Sequence, residues 1–191
     1  MRFAGQAEEQ AETGASVLQA LVIGLVAMFI VLSFHFRSLV EPLIVMLAIP
    51  LALTGVIWGH LLMGLDLSMP SLIGFVSLAG IVVDNSILLV AFIGQDRAAD
   101  RPIAEAARRA SLDRFRPIVM TTTTTVAGLV PLLFETSVQA QVLIPLVTSL
   151  AFGLVSATLL VLFLVPAVYV ILDDLQGFRR TGPSGEPQPR T

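Results

Sequence analysis

The sequence contains no cysteine and no lysine, and only 13% of its 191 residues are charged. Without cysteine, neither a disulfide framework nor a thiolate metal site can form. Soluble domains usually carry about 25% charged residues, so the low charge content argues against an ordinary soluble domain. The sequence also lacks a Gly-rich phosphate loop, a nucleophilic triad and a basic patch interleaved with aromatics. It therefore predicts no enzyme, no cofactor or metal, and no nucleic-acid partner.

Much of the sequence consists of long apolar runs. Hydrophobic residues make up 55% of the chain, and the mean hydropathy is +0.88. Five runs approach or exceed the ~20 residues that a helix needs to cross a bilayer. They occupy residues 16–34, 43–64, 71–94, 117–134 and 143–172. The sequence thus predicts an all-α, polytopic membrane bundle of five transmembrane helices, in contact with the lipid bilayer.

The arginines are distributed unevenly between the predicted loops. Five spans place the first loop, the segment 95–116 and the C-terminal tail on one side, and that side holds all arginines except Arg2. The positive-inside rule makes this side cytoplasmic. We therefore expect a bacterial inner membrane protein with a polar periplasmic lead-in at residues 1–15. Residues 173–191, rich in Pro, Gly and charge, predict a disordered cytoplasmic tail.

The segment 95–116 predicts a short amphipathic helix on the cytoplasmic surface. Its apolar residues recur at helical spacing; they are Ile103, Ala106, Ala107 and Ala110. Such a helix could couple movements between spans or bind anionic lipid. The alternative, which the sequence favours, is a solvated connector whose arginines fix the topology.

Asp84 is the one charged residue deep inside an apolar run. A charge at mid-bilayer costs at least ~2.5 kcal/mol, so it persists mainly where it faces other helices or water. Ser77 and Gly80 lie on the same stripe and are small enough to let another helix pack close to the carboxylate. Asn85 adds a polar group beside it. These residues predict a proton or ion site, and the alternative is a permanently protonated aspartic acid that joins helices by hydrogen bonds.

Three further polar features accompany Asp84. The run Thr121–Thr125 suggests either a hydroxyl relay, with Thr121 as the candidate, or hydrogen bonds that hold helices together. Arg114 and Arg116 lie just before Pro117, where interfacial anchoring is the simpler interpretation. His60 lies near the outer end of its span and is interpreted as an ordinary interfacial residue.

The motifs GIVVDNSILLVAFI and RPIVMTTTTTVAGLVPLLFETSVQAQ, and the earlier FRSLVEPLIVMLAIPLALTGVIWGHLLMG, resemble the C-terminal membrane region of resistance-nodulation-division (RND) efflux transporters. The resemblance covers residues 5–174. It implies that the spans are helices eight to twelve of a twelve-helix protein. Members of that family are trimeric inner-membrane antiporters that exchange protons for drugs, lipophiles or metal ions.

The resemblance also implies roles for single residues. Asp84 matches the proton-site position of the tenth helix, where well-known drug exporters have Lys followed by Asn, whereas here Asp precedes Asn85. Thr121 matches the relay threonine of the eleventh helix, and Arg114 matches an arginine near the proton exit. The acidic residues of the fourth helix would lie in the N-terminal half of the transporter.

The resemblance predicts a C-terminal portion of a proton-driven exporter, expected to be a truncated or split product, or a fragment. Its expected partners are the missing N-terminal half or full-length subunits, with small-molecule substrate only in the full-length context. The alternative function is a non-transporting membrane module that binds lipid or partner helices.

Overall fold

The computed structural model describes residues 2–98 and 102–180, and the side chains of residues 12–95 and 102–172. All regular structure in this described part is helical, which confirms the all-α prediction. The helices are α1 (Arg2–Phe36), α2 (Val40–Met46), α3 (Ala48–Met63), α4 (Met69–Ala98), α5 (Ile103–Leu133), α6 (Val138–Gln141) and α7 (Ile144–Arg180).

Helix α7 lies at the centre of the bundle and packs against α3, α4 and α5. Helix α1 lies at the periphery, where it contacts α2 and α4. Only 6% of its membrane-length part is buried within the chain, against 44% for α4. The apolar surface of α1 is therefore left for lipid or for helices outside this chain.

Four stretches are long and apolar enough to cross a membrane: Glu12–Phe36, Val40–Met63, Met69–Gln95 and Ile144–Leu172. They correspond to four of the five predicted spans. The second consists of α2 and α3, which are separated at Leu47. The remaining predicted span, 117–134, is the second half of α5 and is less apolar because of its five threonines.

Helix α5 corrects the prediction of a separate connector helix over 95–116. Residues 95–98 belong to α4, and α5 continues without a break from Ile103 through Pro117 into the predicted span. The apolar residues that recur at helical spacing in its first turns are buried; they are Ile103, Ala106, Ala107 and Ala110. The amphipathic segment is thus continuous with the predicted span 117–134 in one helix.

The two ends of the chain also differ in part from the prediction. The polar lead-in is helical from Arg2 onward and continues directly into the first span. Helix α7 extends to Arg180, so the tail predicted to be disordered from 173 is helical over its first eight residues. The rest of that tail, 181–191, and residues 99–101 of the predicted connector lie outside the described residues.

Glycines allow α7 to approach α3 and α4 closely. A β-carbon at Gly55 of α3 would lie 2.6 Å from the carbonyl oxygen of Phe152 and would overlap Ser156. A β-carbon at Gly74 of α4 would lie 2.6 Å from the carbonyl oxygen of Leu146. Because lipid tails are as apolar as leucine, membrane helices associate largely through such close packing of small residues.

The contact at Gly55 predicts a position-specific effect of alanine. Gly55→Ala should destabilise the chain by roughly 1–3 kcal/mol, because the neighbouring atom is backbone and cannot turn away. Gly24→Ala is the matched control, since a β-carbon there meets nothing within 4 Å and alanine favours a helix by about 0.5–1 kcal/mol. Thermal unfolding of the purified chain in detergent, followed by circular dichroism, measures both. Equal stabilities of the two variants would contradict the packing described here.

Candidate functional site

Asp84 lies on an exposed stripe of α4 that faces away from the rest of the bundle. The other exposed members of this stripe are Ile73, Ser77, Gly80 and Leu88. Residues on the opposite side of α4 form part of the core; they include Leu78, Val82 and Leu89. The stripe that the helical spacing predicted is therefore present, and it is directed outward from α3 and α7.

The Asp84 carboxylate has no hydrogen bond or ion pair within the part of the chain that the structure describes. A β-carbon at Gly80, one turn earlier, would meet nothing within 4 Å. The Ser77 hydroxyl donates to the carbonyl oxygen of Ile73 at 3.0 Å, within its own helix. Packing of another helix at Ser77 and Gly80, like the proton role of Asp84, stays a prediction.

Asn85 lies on a different side of α4 from the Asp84 stripe. It lines a small cavity together with Ile118 of α5 and with Ala157 and Thr158 of α7. The next residue, Ser86, is buried and donates its hydroxyl hydrogen to the carbonyl oxygen of Val82 at 2.8 Å. Asn85 therefore lies where three helices meet, while Asp84 is on the outside.

The threonine run divides into outward and inward hydroxyls. Thr121 is exposed and donates to the carbonyl oxygen of Pro117 at 3.0 Å. Thr125 likewise donates within α5, to the carbonyl oxygen of Thr121 at 2.8 Å. Thr122 is buried, and its hydroxyl oxygen lies 2.8 Å from that of Thr158 on α7. The interhelical hydrogen bond thus belongs to Thr122, and the sequence reasoning did not single out its partner Thr158.

Arg114 packs against the end of α4. The central carbon of its guanidinium lies 3.6 Å from the centre of the Phe92 ring. A cation over an aromatic face at this distance is attracted by the ring quadrupole. The Nε atom of Arg114 is buried and has no hydrogen-bond partner among the described residues. Arg114 therefore connects α5 to α4.

His60 is buried, so its interpretation as an ordinary interfacial residue is wrong. Its side chain is 3% exposed. Its Nδ1 lies 2.9 Å from the carbonyl oxygen of Val56 and its Nε2 lies 2.7 Å from the hydroxyl of Ser71. A carbonyl oxygen only accepts, so Nδ1 carries a hydrogen and donates it to Val56; in the neutral tautomer with this hydrogen, Nε2 accepts from the Ser71 hydroxyl. Ser149 of α7 completes the cluster by donating to the backbone oxygen of Ser71 at 3.0 Å.

This cluster joins the ends of α3, α4 and α7 that meet on one side of the bundle. The signal that could have identified it is the group of serines that opens α4, Ser68 and Ser71, placed one loop after a histidine. A buried imidazole needs hydrogen-bond partners because burial without them is costly. Only the fold shows that Ser149, which lies 78 residues further along the chain than Ser71, belongs to the cluster.

Removal of the Ser71 hydroxyl should leave the Nε2 of His60 buried and without a donor. Ser71→Ala is expected to lower the free energy of unfolding by about 1–3 kcal/mol. Ser77→Ala on the exposed stripe of the same helix is the control and should change it by less than about 0.5 kcal/mol. Unfolding of the purified chain in detergent measures both variants. A Ser71→Ala protein as stable as the control would show that the cluster contributes nothing.

Within the described residues, no group of three or more His, Asp or Glu side chains could hold a metal ion. Three groups of polar residues bear on the choice of site: the Asp84 stripe, the Thr122–Thr158 pair and the His60 cluster. The Thr122–Thr158 hydroxyls and the ring nitrogens of His60 have hydrogen-bond partners inside the chain, whereas the Asp84 carboxylate has none among the described residues. This contrast makes Asp84 the centre of the candidate site.

Known proteins are similar to this chain over most of its length. A family model described as the AcrB/AcrD/AcrF family matches residues 1–173. The chain is similar to multidrug resistance protein MdtC of Erwinia amylovora, with 36% identity over 175 residues that make up 91% of the chain and 17% of that protein.

Two crystal forms of a heavy metal efflux pump are similar in structure. Their TM-scores are 0.76 and 0.79 at 32% and 33% identity, and each alignment covers 88% of the chain. It covers 16% of the pump in the first form and 17% in the second. The chain thus spans about one sixth of the length of the relatives that it matches.

Proposed function

The chain belongs to the AcrB/AcrD/AcrF family of RND efflux transporters, and on this premise we propose that it forms the C-terminal transmembrane portion of a proton-driven exporter. Its partners are the N-terminal half or full-length subunits of such a transporter, which form trimers in the family. In that setting the assembly exchanges protons for small molecules. The match to a multidrug resistance protein and the likeness to a heavy metal efflux pump support a role in export.

One observation carries the proton role. Asp84 occupies the middle of a membrane-length helix, on its outward stripe, and has no partner among the described residues. A carboxylate left in lipid would cost at least ~2.5 kcal/mol. The small residues Ser77 and Gly80 beside it leave room for another helix at van der Waals distance. Helices that complete the transporter therefore cover Asp84 and supply its counter-charge or hydrogen-bond donors.

The proposed chemistry is the reversible protonation of one Asp84 carboxylate oxygen. The ionised carboxylate requires a cationic or donating partner on the facing helix, whereas the neutral acid can remain against an apolar surface. Each protonation event thus changes which contacts of α4 are favourable. Gly74 brings α4 against the backbone of α7, and Arg114 of α5 packs on Phe92 of α4. A shift of α4 is therefore transmitted to α7 and to α5.

Replacement of Asp84 tests this role. Asp84→Asn, expressed in cells that supply the remainder of the transporter, should abolish proton-coupled export, because an amide cannot take up and release a proton. Asp84→Glu should retain part of it. Asp66→Asn, in the loop between α3 and α4, is the charge-matched control and should leave export unchanged. Accumulation of a fluorescent substrate in cells and proton flux in proteoliposomes are the measurements.

The outcome also separates the transporter from a non-transporting membrane module. Co-purification with the supplied subunits first establishes that each variant assembles. Export that persists at the wild-type rate in an assembled Asp84→Asn complex would exclude Asp84 as the coupling residue. No export by the assembled wild-type complex would favour a structural or lipid-binding module.

We also propose that the chain lies in the bacterial inner membrane with its arginine-rich ends in the cytoplasm. The absence of cysteine from the sequence allows single cysteines to report each side. Ser38→Cys, between α1 and α2, should resist a membrane-impermeant maleimide in spheroplasts. Thr136→Cys, between α5 and α6, should react. If the cysteine at position 38 reacts and the cysteine at position 136 does not, the topology is opposite to the one proposed.

A further inference from the structure

A groove runs along the outer surface between α5 and α7. Its volume is about 410 Å³, and its walls include Val119, Thr123, Val126 and Val130 on α5 and Val155 and Leu159 on α7. The hydroxyls of Thr122 and Thr158, which also line it, are bonded to each other at 2.8 Å. The groove therefore offers an almost wholly apolar surface, with the Thr123 hydroxyl as a further polar group in its wall.

The length of the groove matches one leaflet of a bilayer. From Val119 to Val130, α5 rises about 16 Å at ~1.5 Å per residue. The hydrocarbon core of a bilayer is about 30 Å thick, so the groove is roughly half as long as a membrane-spanning helix. An acyl chain fits these dimensions, whereas a partner helix would need a surface that continues across both leaflets.

A positive charge lies at the end of the groove that is nearer the predicted membrane surface. Arg116 is exposed, precedes Val119 by three residues and shares a side of α5 with Val119 and Thr123. Among the described residues it has no ion pair, whereas Arg109, two turns earlier, pairs with Asp113 at 3.7 Å. Side chains on a helix lean toward its N-terminus, so the guanidinium of Arg116 extends toward the aqueous interface.

The residues around Arg116 are typical of the boundary between lipid and water. Leu112 and Phe115 are exposed on the same turns of α5, with 64% and 54% of their surface accessible. Exposed apolar side chains interleaved with arginine suit the level of the lipid headgroups. The arginine distribution assigns this end to the cytoplasmic leaflet, where anionic lipids concentrate and attract basic residues.

We propose that α5 and α7 form a binding site for an anionic phospholipid. Its phosphate contacts the Arg116 guanidinium, and one acyl chain lies along the groove. The site requires only that α5 and α7 lie in a bilayer, and it is separate from the outward stripe of α4 and from any export activity.

Native mass spectrometry of the purified chain in detergent tests the proposal. The chain is titrated with phosphatidylglycerol and, in parallel, with phosphatidylcholine that has the same acyl chains. Arg116→Gln should weaken the binding of phosphatidylglycerol about five-fold, which corresponds to the loss of one contact between a basic residue and an anionic lipid. Its effect on phosphatidylcholine should be smaller. Arg109→Gln removes the same charge from a residue already paired and should leave both affinities unchanged.

A second pair of variants tests the acyl-chain part of the site. Ala127→Phe places a ring in the groove from an exposed position and should reduce the binding of both lipids. Ala27→Phe, on the exposed surface of α1, is the matched control and should have no effect. If neither Arg116→Gln nor Ala127→Phe changes lipid binding, the proposal is overturned.

A cross-linking experiment identifies the occupant directly. A photoreactive phenylalanine analogue replaces Met120, an exposed residue outside the groove lining that shares a side of α5 with Thr123 and Ala127. Membranes are then irradiated from cells that supply the remainder of the transporter. An adduct with the mass of a phospholipid supports the site. An adduct with a protein segment or with a transported substrate would assign the groove to that occupant instead and overturn the proposal.

Discussion

The close approach of α7 to α3 and α4 is the constraint on which the rest of the structure depends. It requires glycine at Gly55 and Gly74, where a β-carbon would meet backbone atoms of α7. In lipid, helix association gains little from the hydrophobic effect. Close packing of this kind therefore has to supply much of the free energy of association. Because the side of α4 that carries Gly74 packs against α7, the opposite side of α4 must face outward. The position of Asp84 on the outer surface follows from the packing of residues that carry no charge.

The same packing determines how the polar groups are satisfied. The His60 cluster connects the ends of three helices through hydrogen bonds to side chains and backbone. The Thr122–Thr158 bond joins α5 to α7 at the floor of an apolar groove. Both lie inside the chain because buried polar groups need partners where no water can supply them. The Asp84 carboxylate differs from both, because it is exposed and has no partner among the described residues.

The helical class, the membrane-length runs and the family could all be predicted from the sequence. Hydropathy and run length predict spans without knowledge of how the spans pack. The predictions that proved wrong depend on contacts or continuity that local composition does not encode. The sequence predicted a separate connector helix over 95–116, yet α5 continues through Pro117, because a proline can be accommodated when neighbouring groups satisfy the freed backbone. His60 suggested an interfacial residue, because its partner Ser71 and the linked Ser149 approach it only in the folded bundle.

The candidate site shows the same division between sequence and fold. The sequence by itself determined that Asp84 is a costly intramembrane charge, that its stripe carries small residues, and that Thr121–Thr125 form a hydroxyl-rich turn. These conclusions follow from residue type and helical period alone. The tertiary structure decided that the stripe faces away from α7, that Thr122 makes the interhelical bond, and that Arg114 rests on Phe92. Those results depend on which side of each helix is buried, and that is set by the shapes of facing helices far apart in the chain.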